Sequence, residues 1–175
     1  GVYRVTYNGN ESTADVVKRT QGQDRNLRHK LERFHGKQHK DAINESWVHL
    51  NHTGRFIRWA AMTAVMHQPV KQWQRRALTE KDPNKRVLAL LALCKVIGVD
   101  TKNATAEEPA SKVDPVLSAS IFKSLGQVDW SKLTHAGKLT LVRTYQIALI
   151  RLGETDAKIN NRIIKHLDPH FPAPD

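Results

Sequence analysis

Asn51-His52-Thr53-Gly54-Arg55-Phe56-Ile57-Arg58-Trp59-Ala60-Ala61 and Lys81-Asp82-Pro83-Asn84-Lys85-Arg86-Val87-Leu88-Ala89-Leu90-Leu91 are one helical pattern written twice. The first copy continues to His67 and Pro69, the second to Gly98. A shift of 30 lays Ile57 on Val87, Ala60 on Leu90, Ala61 on Leu91 and Ala64 on Cys94. Each copy opens with a turn, places Arg or Lys in its first helical turn, then runs apolar with small residues. A helical unit recurring at this spacing buries its apolar face against the next copy. Shifting the second copy by 55 lands Val142 on Val87, Tyr145 on Leu90 and Gly153 on Gly98, which suggests a third copy beyond an insertion near 99–113.

Caps and stops delimit the helices on either side. Asp24 is placed to cap a helix with Leu27, Leu31 and Phe34 on one stripe, stopped by Gly36. A second helix over about 40–50 turns Ile43, Trp47 and Leu50 inward. Arg55 to His67 pairs with Pro69 to Thr79, whose inner face is Val70, Trp73 and Ala77. Asp82-Pro83 and Asp114-Pro115 repeat a cap-then-proline start, the latter opening a helix with Val116, Leu117, Ile121, Phe122 and Leu125. Thr134 to Leu152 is the longest pattern, with Leu139, Val142, Tyr145, Leu149 and Leu152 inward. Thr155 caps a last helix carrying Ile159, Ile163 and Leu167, and the proline-broken tail reads as an irregular strap. Residues 99–113 lack periodicity and read as an exposed loop. The expectation is an all-α fold: an α-solenoid of HEAT type, about four helical hairpins over residues 24–175.

Residues 1–9 alternate, with Tyr3, Val5 and Tyr7 on one side, as a β-strand does before the Asn8-Gly9 turn. No second strand follows, and a lone strand leaves its backbone unpaired. Residues 1–23 are therefore expected to be an extended segment, paired with something outside this chain or else disordered within it, followed by a polar linker. Gly1-Val2-Tyr3-Arg4 is neither a signal peptide nor an initiation, so the chain reads as a fragment or mature segment.

Among 175 residues the net charge is +11, which favours acidic partners: nucleic acid, an anionic membrane or an acidic protein face. No apolar run is long enough to make a transmembrane segment. The single cysteine excludes an internal disulfide, a Cys-rich zinc site and a Cys-x-x-Cys-His haem attachment, and Cys94 reads as core. Arg25, Arg28, Lys30 and Arg33, with Lys18, Arg19, Lys37 and Lys40 nearby, make the N-terminal hairpin basic. Together with Arg55 and Arg58 they form the candidate interaction surface, suited to phosphate backbones or to an acidic neighbouring domain.

No residue is assigned to catalysis, to a cofactor or to a metal. His35 and His39 have ligand spacing, but Gly36 interrupts the helix between them and no acidic third ligand stands at a helical offset. His49, His52 and His67 flank helix ends, where free carbonyls accept hydrogen bonds. Glu107 and Glu108 lack an apolar pocket, and Ser118 and Ser120 lack a histidine base. There is no Gly-rich phosphate loop. Trp47, Trp59, Trp73 and Trp130 have the chemistry to stack bases, but three of them suit packing between helices.

Tyr3-Arg4-Val5-Thr6-Tyr7-Asn8-Gly9 resembles the last propeller strand of large bacterial membrane-associated dehydrogenase-like proteins. These are similar to quinoprotein, sorbosone-type β-propeller dehydrogenases and often carry a c-type cytochrome domain further on. Leu27-Arg28-His29-Lys30-Leu31-Glu32-Arg33-Phe34-His35-Gly36 and Arg55-Phe56-Ile57-Arg58-Trp59-Ala60-Ala61 resemble their intervening HEAT-like region. The resemblance covers most of residues 1–167 and weakens after Gly98. It implies a non-catalytic scaffold between propeller and cytochrome, with no cofactor in this segment and a bacterial periplasmic or cell-envelope location. Its partners would be the neighbouring domains or another protein. The alternative is a basic HEAT-like nucleic-acid-binding protein, glycosylase-like in type.

Overall fold

The computed structural model describes residues 2–12, 22–98 and 113–171. Among them lie eight α-helices and no strand: α1 (Gln23–Glu32), α2 (Ala42–Trp47), α3 (Arg55–Met66), α4 (Gln74–Thr79), α5 (Pro83–Ile97), α6 (Pro115–Leu125), α7 (His135–Arg151) and α8 (Ala157–Leu167). Short 3-10 turns occupy Val70–Gln72, Trp130–Lys132 and Asp168–His170. The fold is all-α. Among the described residues no helix is long and apolar enough to cross a membrane.

Most boundaries follow local chemistry. Asp82 accepts from the Lys85 N–H at 2.9 Å and Asp114 from the Val116 N–H at 2.8 Å, each with proline opening the helix behind it. Thr134 caps α7 through the Gly137 N–H at 3.1 Å. Gly36 and Gly153 adopt positive φ where chains leave their helices, a conformation glycine enters without steric penalty. Three expected starts and ends differ. Gly22 is the N-cap of α1, and Asp24 lies inside the first turn. Asp156, not Thr155, caps α8, accepting from Ile159 N–H at 2.7 Å, while the Thr155 hydroxyl donates to Asn160 instead. The single helix expected from Pro69 to Thr79 is a 3-10 turn followed by α4. The chain breaks at Trp73 (φ −132°), whose ring is wholly buried and whose indole N–H donates to the Gln68 carbonyl at 3.2 Å.

The core is built from repeated positions. Ile57, Ala60, Ala61 and Ala64 of α3 are buried, and so are Val87, Leu90, Leu91 and Cys94 of α5, the residues that a shift of 30 equates. Burial in α7 matches α5 at a shift of 54, equating Leu141, Thr144, Tyr145 and Ala148 with the same four positions. The expected shift of 55 is thus one residue too long. Its glycine match is the cause: Gly98 is the C-cap of α5, whereas Leu152 is the C-cap of α7 and Gly153 lies one residue beyond. The slip also misplaces the inner stripe, because Leu139 and Leu149 are exposed.

Helix α3 packs on α5 and α5 on α7, while α1 and α2 pack on α3, α4 on α5 and α6, and α6 on α7. Polar ties link the starts of successive long helices. Asn51 donates to Asp82 at 2.8 Å, and Asn84 Oδ1 accepts from the Thr134 N–H (3.0 Å) and hydroxyl (2.9 Å). Gly137 makes room for this: any Cβ there would collide with Asn84 Oδ1. Cys94 sits in the middle of the stack, and burial pushes its thiol up to about 12, so it is an inert core residue.

Residues 2–12 form neither helix nor strand. Val2, Tyr3 and Val5 are almost wholly exposed and Tyr7 is half exposed. The described residues contain no other strand to complete the hydrogen bonds of this segment, as its expected pairing outside the chain requires. The expected linker and the loop carrying Glu107 and Glu108 fall largely outside the described residues, as does the end of the tail.

Candidate functional site

The six cations of the candidate surface do not act together. Arg25 and Arg28 of α1 line an open groove of about 380 Å³ with Asp24, Gly54, Phe56 and Ile57. Arg28 Nε also stands 3.2 Å from Glu32, one turn on, and Arg25 Nε donates to His29 at 3.4 Å. Lys30 points elsewhere, to Glu45 of α2 at 2.9 Å. The hydrogen bond from that ammonium is the main reason the Glu45 carboxyl sits below its ordinary range; the charges of Lys30, Arg33 and His39 act the same way, and desolvation opposes them. Arg33 donates back to the Lys30 carbonyl. Arg58 braces the turn before α3, donating to the carbonyls of His52 (2.6 Å) and Thr53 (2.8 Å). Arg55 lies over the Trp59 ring at 5.3 Å, with Lys95 on the same ring at 5.9 Å.

The groove's notable neighbours are aromatic. Phe56 and Trp59 are three residues apart on α3 and therefore share a face, and they remain 71% and 50% exposed. The other tryptophans are structural. Trp47 and Trp73 are buried, and Trp130 stacks on His170 with ring centres 4.3 Å apart. Trp47 donates to Glu80 at 2.6 Å and carries Arg76 over its ring. Burial alone would raise the Glu80 carboxyl, but hydrogen bonds from Trp47 and from the Asp82 and Lys81 amides outweigh it and hold the pKa down.

The histidines and serines have local tasks. His35 Nε2 meets the Ala60 carbonyl at 2.9 Å, whereas His39 Nδ1 accepts from the Asp41 amide, so the pair has separate partners. His52 accepts from the Gly54 amide; a carbonyl partner was the expectation for its position. Among the described residues no three His, Cys, Asp or Glu side chains stand close enough to share a metal ion. Ser118 is buried against the Leu152 carbonyl, and Ser120 bonds back to Val116 within α6.

A second basic surface lies at the other end of the chain, unmarked by the sequence reading. Lys123 of α6 and Arg162 and Lys165 of α8 line a cleft beside Phe122, Gln127 and His166. At its floor the Tyr145 hydroxyl is 2.9 Å from His166 Nδ1. Burial raises the Tyr145 pKa, so the phenol keeps its proton, and the tautomer of His166 sets which partner donates. Burial also lowers the pKa of His166, reinforced by His170 and opposed by a hydrogen bond to the Val128 backbone. The available signal was Lys158, Arg162 and Lys165 at spacings of four and three, one cationic face of one helix. Comparison with protein-family models, curated proteins and solved structures finds no match to this chain.

Proposed function

We propose that this chain is a HEAT-like repeat module that docks and spaces other folded units and performs no catalysis itself. The observation that carries the reading is the exposed, alternating apolar segment at Val2, Tyr3, Val5 and Tyr7 beside an all-helical body whose described residues offer it no strand. Such a segment completes its hydrogen bonds on the edge of a β-sheet in a neighbouring unit. The reuse of four buried positions in α3, α5 and α7 supports the stacked-repeat part of the proposal. In the resemblance drawn from the sequence, the units docked are a propeller dehydrogenase-like domain and a c-type cytochrome domain in a bacterial periplasm or envelope.

The test is limited proteolysis of the chain alone and joined to the propeller domain proposed to precede it. Docking predicts protection at Arg4 and at Arg25 and Arg28 in the joined protein. Unchanged cleavage at these sites would remove the proposal.

A second reading, nucleic-acid binding, is favoured by Trp59, exposed between Arg55 and Lys95 with the Arg25–Arg28 groove nearby. Duplex and single-stranded DNA titrations at two salt concentrations separate the readings. Absence of binding at low salt eliminates this one, and a steep salt slope unaffected by Trp59→Ala reduces it to charge alone.

A further inference from the structure

We propose that the cleft between α6 and α8 is a binding site for a phosphate group, held by Lys123, Arg162 and Lys165. The cleft has two connected parts, because both are lined by Phe122, Lys123, Gly126 and Arg162. The outer part, about 470 Å³, adds Lys165, Gln127 and His166, and among the described residues no Asp or Glu lines it. The inner part, about 170 Å³, is walled by Phe122, Ile159, Ile163 and Tyr145. Asp156 and Lys158 also line it; their opposite charges offset each other, and the Asp156 carboxylate accepts from the Ile159 amide as the α8 cap.

Charge decides the class of ligand. Among the described residues, none of Lys123, Arg162 and Lys165 belongs to an ion pair, unlike Arg28 and Lys30. The C-terminal ends of α6 and α8 each offset roughly half an elementary charge, leaving about +2 from three cations. A dianionic phosphate balances that remainder, while a single carboxylate does not. Arg162 offers the planar fork that matches phosphate oxygens, and the two lysines act as point charges. The apolar inner part accepts whatever carries the phosphate, whether a small organic phosphate or the glycerol and upper acyl region of a lipid headgroup. This inference stands independently of the docking reading.

Calorimetric titration with inorganic phosphate and with phenyl phosphate tests it, using the wild-type chain, K123Q/R162Q/K165Q and the control R25Q/R28Q. The triple variant should bind more weakly by about tenfold or more, equivalent to about 1.4 kcal/mol, and the control should bind as wild type. Phenyl phosphate should bind more tightly than inorganic phosphate. If circular dichroism finds the triple variant unfolded, Arg162→Lys serves instead: it keeps the charge, loses the fork and should still weaken binding. Flotation with phosphatidylcholine vesicles, with and without phosphatidic acid, whose phosphomonoester can carry the second charge, identifies the source. Capture only by the anionic vesicles, reversed by phenyl phosphate, supports a lipid phosphate; binding of phenyl phosphate without capture supports a soluble one. No binding in either format, or an equal loss in R25Q/R28Q, would overturn the proposal.

Discussion

At the α1–α2 hairpin, Lys30 is committed to Glu45 and Arg28 to Glu32, whereas at the α6–α8 cleft Lys123, Arg162 and Lys165 form no ion pair among the described residues. Anchorage differs as well. The hairpin sends Leu31, Phe34 and Trp47 into the core, while α8 has no buried residue and rests on the body through half-buried Ile159, Ile163 and Leu167. Cationic density in a sequence therefore says little about available charge. What matters is whether the next helix brings an acid, and that depends on packing.

The largest expected effect is on the anchored side. Trp47→Ala removes a buried ring and leaves Glu80 without its shortest donor, which should cost about 3–5 kcal/mol. For a chain of this size that lowers the melting temperature by about 10 °C, at roughly 2–4 °C per kcal/mol. An unchanged melting curve would mean the hairpin is not anchored as described. Next, Tyr145→Phe deletes the hydrogen bond to His166 and should cost about 1 kcal/mol. Hydrogen exchange should accelerate in α8 and leave α1 and α3 unaltered, because the loosened contact belongs to the lightly held side. Acceleration spread evenly through the chain would erase the contrast.

Acidification should follow with a smaller change of definite sign. Burial holds the pKa values of His166 and His49 below their ordinary 6.5, so between the folded pKa and 6.5 the unfolded chain binds more protons. Stability is therefore fully present above 6.5 and declines as pH falls through that window. Protonated His166 can no longer accept from Tyr145. Melting temperatures at pH 7.5 and about 5.5 should differ less in His166→Asn than in wild type; equal drops would remove His166 from the account. Smallest of all, Glu45→Gln should leave the melting temperature within experimental error, since the side chains of its ion pair with Lys30 are 37% and 52% exposed. A clear drop would show that this pair anchors the hairpin as well as quenching its charge.

Much of the fold was legible because its signals are local. Asp82-Pro83 and Asp114-Pro115 need only their own backbone to start a helix, and the 30-residue shift equates positions that are buried in both copies. The 55-residue shift onto α7 is one residue too long because glycine serves as C-cap in α5 and as the following residue in α7. The break at Trp73 was hidden, since a buried ring and its bond to Gln68 override a continuous helical pattern. The candidate surface was legible only as composition. Arg58 bonding to His52 and Thr53, and Lys30 to Glu45, are consequences of turns and neighbouring helices. On α8 the cationic face was present in the sequence, but its significance depends on Lys123 arriving from α6.

The contrast between committed and available charge is tested most directly by lysine acetylation footprinting, read by mass spectrometry with and without phenyl phosphate. Lys123 and Lys165 should lose reactivity when the ligand is added, while Lys30, already held by Glu45, should not change. Equal responses at Lys30 and Lys165, or protection at Lys30 alone, would contradict the account.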